Sequence, residues 1–138
     1  MSKVACTVVD LVPHEGVIDV TAQVTAKKEH VVRFQVPSVV FLWGRGQTFL
    51  CVTESALCTP SGNNKAECVF LGVVLHHDDV DLIISNGGLA MRIPARLCDD
   101  EATFAQGDLV RTYLIPDHVS RKRASIHATA ASQRPRRR

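Results

Sequence analysis

A chain of 138 residues with 46% hydrophobic and 22% charged side chains has the size and composition of one globular domain, long enough to bury roughly two thirds of its unfolded surface without a disulfide or metal staple. No stretch approaches the roughly 18 apolar residues of a membrane-spanning helix, and Met1 to Asp10 has neither a basic start nor a continuous apolar core, so neither insertion nor secretion is expected. The net charge of +2 conceals a division: residues 119–138 carry seven basic side chains and no acid, whereas the other 118 residues carry nine basic and fourteen acidic ones, a balance of −5, which argues against a nucleic-acid binder that uses its whole surface.

In chain order the signals are those of short strands. In "GVIDVTAQV", Ile18, Val20, Ala22 and Val24 alternate with Asp19, Thr21 and Gln23, the period-two pattern of a half-buried strand. "HVVRFQV" repeats it with Val32, Phe34 and Val36 against Arg33 and Gln35, and Lys27-Lys28-Glu29 between them suits an exposed hairpin connection. "VPSVVFLWGRG" reads as a short helix or a bent strand, with Gly44 and Gly46 turning into the next strand. "QTFLCVT" and "ECVFLGVVL" are continuously apolar, as strands buried on both faces are. "CTPSGNNK" between them is a loop by composition. "LIISNGGLAMRI" places Asn86-Gly87-Gly88 between two apolar runs, a hairpin signal, because the favoured two-residue turns need positive φ. "DDEATFAQGD" allows one helical turn capped by Asp99 or Asp100 and stopped by Gly107, and "DLVRTYLI" is a last strand ended by Pro116, which cannot donate to a ladder. Seven or eight strands with turns between them predict an all-β fold, a small antiparallel barrel or sandwich, over residues 1–118.

Residues 119–138 change character. Arg121, Lys122, Arg123, Arg134, Arg136, Arg137 and Arg138 make a basic, solvated tail. Its physical partners are phosphates, bound in a salt-dependent and sequence-independent way, an import receptor, or an acidic protein surface.

Clusters that carry chemistry are scarce. His76, His77, Asp78 and Asp79 are the densest set of metal-type ligands, but neighbours on a strand point to opposite faces, so polar turn residues are the better reading. Asp99, Asp100 and Glu101 lack the spacing of a calcium loop. No Gly-x-Ser-x-Gly elbow marks an activated nucleophile. Cys6, Cys51, Cys58, Cys68 and Cys98 are odd in number and scattered, so they read as small core residues of a reducing compartment. No catalysis, metal or cofactor is expected.

The element "GGLAMRI", Gly87 to Ile93, follows Ser85 and is preceded by "ECVFLGVVLHHDD" with Gly72 and Val73; "GDLVRTYLI" lies downstream and "VVDLVPHEGVIDVTAQVTAKKEHVVRFQV" upstream. In this order and spacing, over residues 3–115, the chain resembles the small OB-like subunit that eukaryotic nuclear RNA polymerases I, II and III share, the eighth subunit in the polymerase II naming. It departs from the family in having Tyr113 as its sole tyrosine and in carrying the tail, so the resemblance is that of a divergent member. The resemblance implies a barrel of about eight antiparallel strands built from two OB-like halves. It further implies a non-catalytic, nuclear (for polymerase I, nucleolar) assembly subunit, packed on the largest polymerase subunit beside neighbouring subunits. The residues it points to are Gly87, Gly88, Leu89, Met91 and Arg92. The glycines would permit close backbone approach, Leu89 and Met91 would bury apolar area against either the partner or the barrel core, and Arg92 suits a bidentate contact with a carboxylate. The alternative is a free-standing OB-type protein that binds single-stranded nucleic acid through one face and the tail. Against it, Phe34, Trp43, Phe49, Phe70 and Tyr113 are few and lie in apolar runs.

Overall fold

The computed structural model describes residues 2–39, 41, 43–57, 59–60, 66–97 and 104–117. They form eight strands: β1 (Ser2–His14), β2 (Val17–Val24), β3 (Val31–Pro37), β4 (Thr48–Ser55), β5 (Cys68–His77), β6 (Asp81–Asn86), β7 (Leu89–Pro94) and β8 (Leu109–Pro116), with one 3-10 turn, Ala95–Leu97. All neighbours are antiparallel, and the sheet closes as a barrel in the order β1-β2-β3-β7-β6-β5-β8-β4. Closure removes most of the open edges that make a free sheet adhesive. The basic tail, the acidic run 99–101, and Cys58 and Cys98 lie outside the described residues.

The alternation seen in sequence becomes the inner wall. Val20, Ala22 and Val24 of β2, Val32, Phe34 and Val36 of β3, and Leu82 and Ile84 of β6 are all buried, and Met91 and Ile93 of β7 join them. β1 serves two neighbours: Ser2 to Thr7 pair with β4 and Cys6 to His14 with β2. A bulge between Val8 and Asp10 supplies the bend that this double pairing needs.

Three local expectations need correction. After Pro37 the segment "SVVFLWGRG" forms neither helix nor strand in its described residues. Phe41 leaves the backbone path to pack in the core edge-on to Phe34 at 6.3 Å between ring centroids, Trp43 lies between Phe41 and Phe49, and Gly46 turns with φ 90°. Side-chain burial fixes the middle of this loop, and backbone bonds fix its ends, Ser38 N donating to Gly16 O at 3.0 Å and Gly46 N to Val8 O at 2.8 Å. Second, Gly107 belongs to a tight turn into β8, closed by Asp108 N donating to Ala105 O at 3.0 Å, with φ 91°. Third, only one of the two continuous apolar runs is buried on both faces. In β4, Cys51, Val52, Thr53 and Glu54 are buried in succession. In β5, Gly72 and Val74 face inward, whereas Val69, Leu71, Val73 and Leu75 stand 55, 64, 37 and 51% exposed on the outside.

Candidate protein-contact surface

The hairpin β6–β7 places the motif residues. Asn86 pairs with Leu89, so the loop is the two glycines alone, with φ 65° at Gly87 and 97° at Gly88. Two positive φ values in a two-residue loop match the right-handed twist of the strands, and a Cβ is strained at both. The Ser85 hydroxyl accepts the amide of Gly88 at 3.1 Å and fixes the turn from within. A Cβ at either glycine would meet no atom of this chain within 4 Å, so within the chain the turn conformation accounts for them, and no close packing does.

Leu89 is half-buried, and Met91 is 1% exposed inside the barrel. Of the two roles open to Met91, the core is the one it fills, which leaves it no surface for a partner. Arg92 points outward and is held by Asp81 at 3.3 Å. Opposite it on β3 is Arg33, in one of only two registered pairs, Arg33↔Arg92 and Phe34↔Met91, that join β3 to β7. Two like charges side by side at the shortest junction of the barrel are unfavourable without counter-charge. One place up the seam the backbone ladder is replaced by a side chain: Gln35 Oε1 accepts the Ala90 amide at 3.0 Å while Gln35 Nε2 donates to Asp19 Oδ1 at 2.9 Å. The Gln35 hydrogen bond holds the Asp19 carboxyl below its ordinary range against desolvation, the next effect in size, and His14, whose Nε2 lies 2.6 Å from Asp19 Oδ2, adds a smaller lowering.

Beside this seam lies an open cleft of about 470 Å³ walled by Glu29, Arg33, Asp79, Asp81, Arg92 and Arg96. Guanidinium and carboxylate groups are equal in number there. Such a surface matches a mixed-charge protein face by short, directional ion pairs and offers no continuous positive track for a phosphate backbone.

The histidine cluster divides as strand geometry requires. His76 Nε2 lies 2.7 Å from Asp78 Oδ2, and His77 Nδ1 lies 2.7 Å from the Phe104 carbonyl oxygen. Asp78 Oδ1 accepts the amides of Val80 and Asp81, both at 2.8 Å, so it closes the β5–β6 turn. These bonds, the Asp81 amide first and then His76 and Val80, pull its carboxyl far below the ordinary range. Among the described residues no three His, Cys, Asp or Glu side chains are grouped as a metal site.

Two features escaped sequence reasoning. On the outer faces of β4 and β8, Glu54 is buried against the half-buried Arg111, whose Nε donates to Glu54 Oε2 at 3.2 Å, and against Tyr113, whose hydroxyl donates to the same oxygen at 2.9 Å. The partners are 57 and 59 residues apart, so no local pattern reveals them. The other is the apolar outer row of β5. Its signal was present: with Gly72 facing inward by parity, Val69, Leu71 and Val73 must face out.

No protein-family model matches this sequence, and no curated protein matches it.

Proposed function

We propose that the chain is a non-catalytic assembly subunit of a nuclear DNA-directed RNA polymerase, held by protein contacts against the largest subunit and supporting DNA-templated transcription. The observation that carries the reading is the agreement of architecture with what the sequence resemblance implies: an eight-stranded closed antiparallel barrel in which "GGLAMRI" is a hairpin tip followed by a strand with Arg92 outward. The apolar row of β5 and the mixed-charge cleft support contact with protein. Binding of single-stranded nucleic acid has less support. Phe34, Phe41, Phe49, Phe104 and Tyr113 are buried and Trp43 and Phe70 are half-buried against the core, so among the described residues no aromatic ring stands exposed for a base to stack on.

The test is affinity purification of the tagged full chain from nuclear extract at moderately high salt, with mass spectrometry of what remains bound. Stoichiometric recovery of the two largest polymerase subunits is expected. Recovery of the chain alone, or of nucleic acid that washes away with salt, contradicts the reading.

A further inference from the structure

Although the barrel closes, β5 is not paired along its whole length on both sides. Its residues Cys68 to Val73 pair with β8, but pairing with β6 begins only at Val73↔Ser85, because β6 ends at Asn86 and turns away at the glycines. Val74 donates its amide to Asp108 O at 2.9 Å, on the β8 side. By alternation the backbone groups of Gly72 and Phe70 also face β8, and those of Val73, Leu71 and Val69 face the other way. Val73 meets β6; beside Val69 and Leu71 no strand is present among the described residues.

This half-edge carries none of the usual guards. Cys68, Val69, Phe70, Leu71 and Gly72 include no charge and no proline. Its outward side chains, with Leu109 of β8 opposite Val73, form an exposed apolar strip about 20 Å long and one to two strands wide. Asn86, at the point where the ladder stops, is 7% exposed, and neither atom of its carboxamide has a hydrogen-bond partner among the described residues.

We propose that the half-edge of β5 at Val69 and Leu71 accepts an extended segment of a partner protein as an added strand, with apolar side chains covering Val69, Leu71, Val73 and Leu109. Backbone groups with no partner among the described residues call for another backbone, which selects a strand over a folded surface. The strip is too narrow for the roughly 800 Å² per partner of a stable globular interface, which disfavours a second copy docking face to face. An added strand also continues the line of β6. The inference rests on the reading of the chain as a subunit held by protein contacts; it does not depend on which assembly that is.

The experiment places a benzoylphenylalanine photo-crosslinker at Leu71 of the tagged full chain in its own cells, with the exposed Val12 of β1 as the control position. In a parallel chain Val69→Pro removes only the amide that faces the free edge and leaves the β8 ladder intact. The expected result is an adduct from position 71 that maps to one extended, apolar segment of one other protein, and a yield reduced by about tenfold in the V69P background. An adduct to a second copy of this chain, to nucleic acid, or to nothing overturns the proposal, as does an adduct undiminished in a folded V69P chain. If V69P does not fold, amide exchange decides: Val69 and Leu71 slowed in the purified assembly support the added strand, and unchanged rates overturn it. A mapped partner that is no polymerase subunit would overturn the functional reading and leave the strand site standing.

Discussion

Strands β4 and β5 flank the same strand, β8, and begin from similar sequence, yet they meet opposite surroundings. β4 is covered on both faces: Cys51 and Thr53 point into the barrel, while Val52 and Glu54 are covered on the outside beside Tyr113 and Arg111. β5 is covered on one: Gly72 and Val74 point in, and a row of Val and Leu meets solvent. A buried carboxylate on β4 is tolerated because Arg111 and Tyr113 complete it. An exposed apolar row on β5 has no such internal account. Continuous hydrophobicity therefore marks a strand that is covered on both faces somewhere, by its own chain for β4 and, in our reading, by another for β5.

The contrast is sharpest at Gly72. A Cβ there would lie 2.7 Å from Ile84 Cγ2, 2.9 Å from Ser85 O and against the Asn86 side chain, so Gly72→Ala must push β5 off β6. A loss of about 3 kcal/mol, read by chemical denaturation, is expected. If G72A is neutral, β5 and β6 are not in contact as described. Truncations on the two strands should then diverge. Val52→Ala on β4 costs about 2 kcal/mol, whereas Leu71→Ala on β5 stays within about 0.5 kcal/mol of wild type in the free chain. Equal costs would erase the distinction between the strands. Tyr113→Phe removes one donor from Glu54 and leaves Arg111 in place, and a loss of about 1.5 kcal/mol is expected.

The pH dependence of stability probes the two ends of the scale. Burial pushes the Cys6 thiol from 9.0 up to about 12. A raised value favours the protonated form in the fold, so its contribution is complete below pH 9.0 and is lost as pH rises from there toward 12. Thermal melts should fall over that window, and the fall should be smaller in Cys6→Ala once its lower baseline is subtracted. The Asp78 carboxylate has the opposite sign. Its depressed value means that its contribution is present above 3.8 and is lost progressively as pH falls below it, by less in Asp78→Asn. Because Asp78 is a surface turn residue, this is the smallest effect of the set.

Much of the barrel was legible because strands write their burial as alternation. Ile18 to Val24 and Val32 to Val36 could be assigned to a face from sequence alone, and the Asn86-Gly87-Gly88 turn followed from the φ values that two-residue loops require. What failed was the inference from apolar to buried in "ECVFLGVVL", since composition cannot say whether the second face is covered by the same chain. Phe41 was equally hidden, because a loop residue buried by packing has no periodicity. The candidate surface was legible only in part. Arg92 could be placed outward, but its neighbour Arg33, 59 positions earlier in the chain, and the stitch made by Gln35 depend on the β3–β7 register, which is a product of closure.

Residue-resolved amide exchange tests the central claim most directly, first on the free full chain and then on the assembly recovered with it. The account predicts slow exchange at Phe70 and Gly72, which face β8, fast exchange at Val69 and Leu71 in the free chain, and protection of that second pair in the assembly. Uniformly slow exchange from Phe70 to Gly72 in the free chain, or fast exchange at Val69 and Leu71 in both states, would contradict it.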